Sequence, residues 1–161
     1  MNESASGLVL LAEDDGTDVL LARRAFAAVG LTNPVHVVSD GHAAIEFMTR
    51  ASAAPGGILP ALAILDFKMP GRDGIQVLQW MRAQPTIRCV PAIVFSSSPS
   101  RADIDAAYEA GANAFIIKPS SIAARAEWAR FIQQWLAWVE PALVTTEGFQ
   151  AAMERRGSRP G

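Results

Sequence analysis

Five short apolar runs recur along the chain, and most of them lack the apolar and polar alternation of a half-exposed strand. They are Leu8–Ala12, Val35–Val38, Leu62–Leu65, Val90–Phe95 and Ala114–Ile117, each rich in Val, Ile, Leu or Ala and too short for a helix. Strands buried on both faces read this way. Helical patterns separate the runs, at Thr17–Val29, Ala43–Ala51, Gly74–Ala83 and Ala102–Ala110, with a last one at Ile122–Val139. A strand–helix unit repeated five times implies a parallel sheet with right-handed crossovers and helices on both faces. The expected fold is a doubly wound α/β domain.

Turn signals agree with these boundaries. Gly30 and Gly111 follow the first and fourth helical patterns, where a left-handed cap favours glycine, and Pro70-Gly71 with Asp73-Gly74 mark a tight loop after the third strand. The segment Ser52–Pro60 reads as an extended loop without chemistry. With 161 residues the chain has room for one domain, expected over residues 1–139, and a short C-terminal extension over 140–161, but no effector domain.

Composition narrows the function classes. Half of the residues are hydrophobic and 19% are charged, so a substantial core is expected. A net charge of −2 without a basic stripe argues against binding nucleic acid. Cys89 is the single cysteine, which leaves no internal disulfide and no Cys-rich zinc site. The acidic start Met1-Asn2-Glu3-Ser4 is unlike a signal peptide, and no apolar stretch is long enough to span a membrane. A cytoplasmic location with no membrane association is expected.

In open α/β sheets the functional crevice lies beyond the carboxyl ends of the strands. Four of the five runs deliver polar groups there: Glu13-Asp14-Asp15 after the first, Asp66 after the third, Ser96-Ser97-Ser98 after the fourth, and Lys118-Pro119 after the fifth. Each alone has an ordinary explanation, since Asp and Ser cap helices and a lysine after a strand is usually solvated. Together they are a set suited to phosphoryl transfer. Crowded carboxylates need positive charge among them, and a lysine with a divalent cation supplies it. Magnesium fits a site of oxygen ligands, whereas zinc would want the histidines, and His36 and His42 lie elsewhere and read as structural or surface residues. Asp66 is the candidate nucleophile, forming an acyl phosphate.

These residues resemble the receiver domains of two-component response regulators of the single-domain chemotaxis-regulator type. The likeness covers about Leu8 to Val139 and rests on Leu-Leu-Ala-Glu-Asp-Asp (10–15), Ile-Leu-Asp-Phe-Lys-Met-Pro-Gly-Arg-Asp-Gly (64–74), Val-Phe-Ser-Ser (94–97) and Gly-Ala-Asn-Ala-Phe-Ile-Ile-Lys-Pro (111–119). Ser96 stands 30 residues and Lys118 52 residues after Asp66, as in that family. The resemblance implies a flavodoxin-like sheet of order 2-1-3-4-5 flanked by five helices. It makes Asp66 the phosphoacceptor for a sensor histidine kinase, with Ser96 and Lys118 binding the phosphoryl group. Mg²⁺ would be held by Asp14 and Asp66, by Glu13 through water, and by the backbone carbonyl of Lys68. The acidic pair can be taken as Glu13-Asp14 or Asp14-Asp15; the length of the first apolar run favours the former. Ser96 and Phe115 take the places of the conformational switch, and a cis bond is expected before Pro119. Phe115 also fits a plain core aromatic. The Phe-Ser-Ser-Ser run, the extended segment before the third strand and the Trp-rich ending (131–138) further resemble small regulators served by phytochrome-type histidine kinases.

The last helical pattern carries more apolar surface than a helix needs to cover a sheet. Trp128, Phe131, Trp135 and Trp138 are therefore candidates for a homodimer face; alternatively the tail, through Ala142-Leu143-Val144 and Phe149, covers it. The end of the chain, residues 155–161, reads as a mobile terminus. Two other functions fit the fold less well. A phosphohydrolase would want a second aspartate where Lys68 stands, and flavin binding has only the fold in its favour. A receiver-like binding module that acts without phosphorylation, through its aromatic last helix, is the remaining alternative.

Overall fold

All five apolar runs form strands of one parallel sheet in the computed structural model, which describes residues 7–54 and 57–139. The strands are β1 (Val9–Ala12), β2 (Val35–Val38), β3 (Leu62–Asp66), β4 (Ala92–Ser96) and β5 (Ala114–Ile117), in the order β2-β1-β3-β4-β5. The helices are α1 (Gly16–Ala28), α2 (Gly41–Ala53), α3 (Gly74–Ala83), α4 (Arg101–Glu109) and α5 (Ile122–Trp138). This is the flavodoxin-like arrangement, and its strand order reverses between β1 and β3.

The missing alternation in the strands has its cause in two cores. Leu10 and Ala12 face one side with Leu65, Val94, Met48, Leu78 and Met81; Val9 and Leu11 face the other with Ile64, Phe95, Phe26, Trp128 and Ile132. Successive strand residues point to opposite faces, so a sheet covered on both sides needs apolar residues at every position. β1, β3 and β4 are buried throughout.

Where the boundaries differ from expectation, hydrogen bonding decides. β4 starts at Ala92 instead of Val90, because Pro91 has no N–H for the ladder and Val90 N–H instead donates to Ile87 O at 2.9 Å. α1, α2 and α3 begin directly after aspartates whose side chains cap them: Asp15, Asp40 and Asp73, the last in a reciprocal capping box with Gln76. α2 takes in Ser52 and Ala53, which the sequence placed in a loop, and the Ser52 hydroxyl donates to Thr49 O at 2.9 Å. Gly30 and Gly111 do adopt positive φ, at 69° and 96°.

Two expectations are corrected. Every peptide bond among the described residues is trans, Lys118–Pro119 included, so the expected cis bond is not found. The trans form is the intrinsically favoured one, by about 0.5–1 kcal/mol even before proline. Trp128 is not on a docking face: it is 6% exposed, its ring stacked on Phe95 at 4.6 Å and tilted against Phe26 at 5.1 Å. The apolar half of α5 is two adjoining stripes. Trp128, Ala129 and Ile132 turn to the sheet and α1, while Phe131 and Trp138 stand on the flank, 49% and 88% exposed. No described helix is long and apolar enough to cross a membrane. The acidic start Met1–Ser4, the tail cover expected through Ala142-Leu143-Val144 and Phe149, and the mobile end expected over 155–161 lie outside the described residues.

Candidate functional site

Parallel register brings the polar strand ends into one line. Ala12 is opposite Leu65, Asp66 opposite Phe95, and Ser96 opposite Ile117, so the residues at these ends emerge at one edge. Asp66 and Ser96 are the last residues of β3 and β4; Glu13 and Lys118 follow β1 and β5 directly. Lys118 N–H donates to Ser96 O at 2.7 Å, which ties the fifth strand's exit to the fourth's. After β3 the chain turns at once, with Gly74 N–H donating to Phe67 O at 3.1 Å. A Cβ on Gly74 would stand 2.3 Å from the backbone oxygen of Asp66, so only glycine lets α3 begin this close to the end of β3.

Lys118 organises the side chains. Its ammonium lies 2.6 Å from Glu13 Oε2, 2.8 Å from Asp18 Oδ2 and 3.1 Å from Asp66 Oδ1, with a side chain only 7% exposed. It also sits 5.7 Å from the centre of the Phe95 ring. Asp18 in turn accepts from Arg125 Nη2 on α5 at 3.1 Å. Glu13, Asp66 and Ser96 are buried. The carboxylate oxygens of Glu13, Asp14 and Asp66 come within 4.8 Å of one another, a group that could hold a metal ion. Hard oxygen ligands of this kind suit a hard divalent cation. The surrounding cavity, about 260 Å³, is lined by these three with Lys68, Ser96 and Lys118 among others.

The second acidic pair, Asp14-Asp15, is a poor fit to this geometry. Asp15 caps α1, accepting from Thr17 N–H at 2.7 Å and Asp18 N–H at 3.1 Å, and is not in the metal-competent group. Ser96 Oγ accepts from Ser98 N–H at 3.1 Å. Phe115 is partly buried, edge-on to Phe67 with centroids 6.4 Å apart, and its N–H donates to the Tyr108 hydroxyl at 3.3 Å. His36 stacks on Phe47, and neither histidine joins the acidic group. Sequence reasoning missed Asp18 and Arg125. Asp18 reads as an ordinary acidic residue in a first helical turn, and Arg125 lies 107 positions away, so no local pattern pairs them.

Burial and charge pull these groups in opposite directions. Burial raises the Glu13 carboxyl above its ordinary range more than the Lys118 hydrogen bond lowers it, and the charge of Asp66 adds to the rise. Asp66 is likewise raised, by burial and by Asp14, against the opposing charge of Lys118. For Lys118 burial acts downward, but the bonds to Asp18 and Glu13 and the charge of Asp66 hold it above the usual lysine value. For Asp18 burial acts upward and is outweighed by Lys118 and Arg125, leaving its carboxyl low.

A carboxyl raised in the folded state holds a proton that the unfolded chain has released. Its stabilising contribution is complete at acid pH and is lost as the pH climbs through the folded-state value. Without divalent metal, Asp66→Asn is therefore expected to be more stable than wild type at neutral pH, by about 1 kcal/mol. The gap should narrow as the pH falls toward the ordinary carboxylate range. Urea unfolding in a chelator across that range checks both statements, and a less stable Asp66→Asn at neutral pH contradicts them.

This chain is similar to known proteins. The model of the response regulator receiver domain matches residues 9–127. The probable methanogenesis regulatory protein FilR2 of Methanothrix harundinacea is 32% identical over 132 residues, 81% of this chain and 84% of that protein. The crystal structure of response regulator RPA3017 in red light signaling of R. palustris is 32% identical, with a TM-score of 0.73 over 84% of this chain and 96% of that one. The Mn(2+)-bound form of response regulator Rcp1, a protein of Synechocystis sp., is 25% identical with a TM-score of 0.73, over 84% of this chain and 98% of that one. With most of its length matched by one family model, on the sheet and the acidic edge described above, this chain belongs to the response regulator receiver domains.

Proposed function

We propose that this protein accepts a phosphoryl group on Asp66 from a sensor histidine kinase and signals by altered protein association. The observation that carries the reading is Lys118 Nζ standing 3.1 Å from Asp66 Oδ1 at an edge shared with buried Ser96. An oxygen of Asp66 attacks phosphorus, an O–P bond forms, and the bond from phosphorus to the donor breaks. The electron pair leaves with the donor, either the imidazole nitrogen of a phosphohistidine or the carboxylate oxygen of acetyl phosphate. The Lys118 ammonium and the Ser96 hydroxyl donate to the phosphoryl oxygens as charge spreads over them.

Glu13, Asp14, Asp66 and the Lys68 carbonyl would hold a magnesium ion beside the reacting carboxylate. When bound, its charge offsets that of the phosphoryl group and favours the ionised carboxylates that burial disfavours. Ser96, drawn to the phosphoryl group, gives Phe115 room to turn inward from its partly buried place. The red light signaling named for RPA3017 favours a phytochrome-type kinase as the donor.

Incubation with Mg²⁺ and acetyl phosphate should add one phosphoryl group to wild type and none to Asp66→Asn, read by intact mass. No adduct on wild type, and no bound beryllofluoride, would favour the binding module that works without phosphorylation.

The output surface is the flank of α5. Phe131 and Trp138 are exposed there beside Trp135 and Val139, around an apolar hollow. Aromatic side chains grouped in this way are enriched in protein interfaces, and the occupant proposed is a second copy of the chain. Sedimentation should show a dimer in the beryllofluoride-bound protein that Trp138→Ala weakens by about tenfold or more. Monomer alone at high micromolar concentration, with and without beryllofluoride, would overturn it.

A further inference from the structure

Two charged residues of the site have no part in the chemistry above. Asp18 stands in the first turn of α1 and Arg125 near the start of α5, and the two meet across the packed α1–α5 interface. Asp18 holds two cations at once: its Oδ2 accepts from Lys118 at 2.8 Å and its Oδ1 from Arg125 Nη2 at 3.1 Å. The other terminal nitrogen of the same guanidinium, Nη1, is buried and has no hydrogen-bond partner among the described residues. A buried donor without an acceptor is costly, and a guanidinium next to a carboxylate ordinarily makes two parallel bonds. Here Lys118 already donates to Asp18 Oδ2, the oxygen that a second bond would share.

An ammonium has three donors; Lys118 donates to Glu13 and Asp18, and its charge pairs with Asp66 at 3.1 Å. A phosphoryl group on Asp66 takes the donor nearest Asp66 and, with three acceptor oxygens of its own, competes for a second. Giving up Glu13 would leave a carboxylate with a 2% exposed side chain, against 21% for Asp18, dependent on the metal alone for countercharge. Giving up Asp18 leaves a carboxylate that has a waiting donor beside it. We propose, resting on the phosphoacceptor reading, that Asp18 is a positioning residue for Lys118 and exchanges partners on phosphorylation. Lys118 moves from Asp18 Oδ2 to a phosphoryl oxygen, and Asp18 takes Arg125 Nη1, completing a two-bond fork between α1 and α5. The exchange carries the state of Asp66 to α5, the helix bearing Phe131 and Trp138, by a route separate from Ser96 and Phe115.

The test uses the full chain with Mg²⁺ and beryllofluoride as the probe. In wild type, nuclear magnetic resonance should show the Arg125 guanidinium protons becoming resolved and exchanging with water about fivefold or more slowly on saturation, as a fork replaces a single bond. This reading needs no variant. Arg125→Lys, which keeps the charge but not the fork, should bind beryllofluoride about tenfold more weakly. The effect of Arg125→Lys should largely vanish in an Asp18→Asn background, a coupling that a general electrostatic effect on the anion would not produce. Saturation of Asp66, seen in the amide signals of Ser96 and Ser97, with an unchanged Arg125 guanidinium and additive variants would overturn the exchange alone. Failure of wild type to bind beryllofluoride would overturn the phosphoacceptor reading and this inference with it.

Discussion

One buried ammonium holds the acidic edge together. Lys118 meets Glu13, Asp18 and Asp66 within 3.1 Å, and these residues come from the ends of β5, β1 and β3 and from α1. Carboxylates brought this close, with Asp14 beside them, would repel one another strongly in a medium that screens less than water. The lysine, with Arg125 behind Asp18, makes the arrangement possible but does not neutralise it. The excess of negative charge is what a divalent cation and a phosphoryl donor would find there. Removing Lys118, the cation that three carboxylates share, is far more costly than the net value of any one pair.

The sheet supplies the precision that this contact demands. Because β1, β3, β4 and β5 are parallel and in register, their last residues arrive at one edge without any long loop to position them. Both faces of the sheet are packed, and Trp128 wedges between Phe95 and Phe26 under the site, so the strand ends are fixed from below. Gly74 makes the complementary accommodation above, admitting α3 against the backbone of Asp66. Glu13 and Asp66, raised by burial, are the places where the fold gives up stability for a reactive edge.

What the sequence showed and what it hid follow from the range of the interactions. The strands were legible because burial on both faces leaves an unalternating apolar run, and Glu13, Asp66, Ser96 and Lys118 were legible because each stands at the end of one. The caps Asp15 and Asp40 shifted helix starts by a residue or two, a local effect that periodicity does not register. Trp128 was misplaced for another reason: an apolar arc on α5 cannot tell a stripe that meets α1 and the sheet from the flank beside it. The Asp18–Arg125 pair had no signal at all, since it depends on α1 and α5 lying side by side, which only the completed fold brings about.

The claim that Lys118 is the counterion on which the edge depends is tested most directly by unfolding Lys118→Met in urea without divalent metal. The side chain is replaced by an uncharged one of similar length, leaving Glu13, Asp18 and Asp66 without their shared cation. A loss of about 3 kcal/mol relative to wild type is expected at neutral pH. A variant as stable as wild type under the same conditions would contradict it.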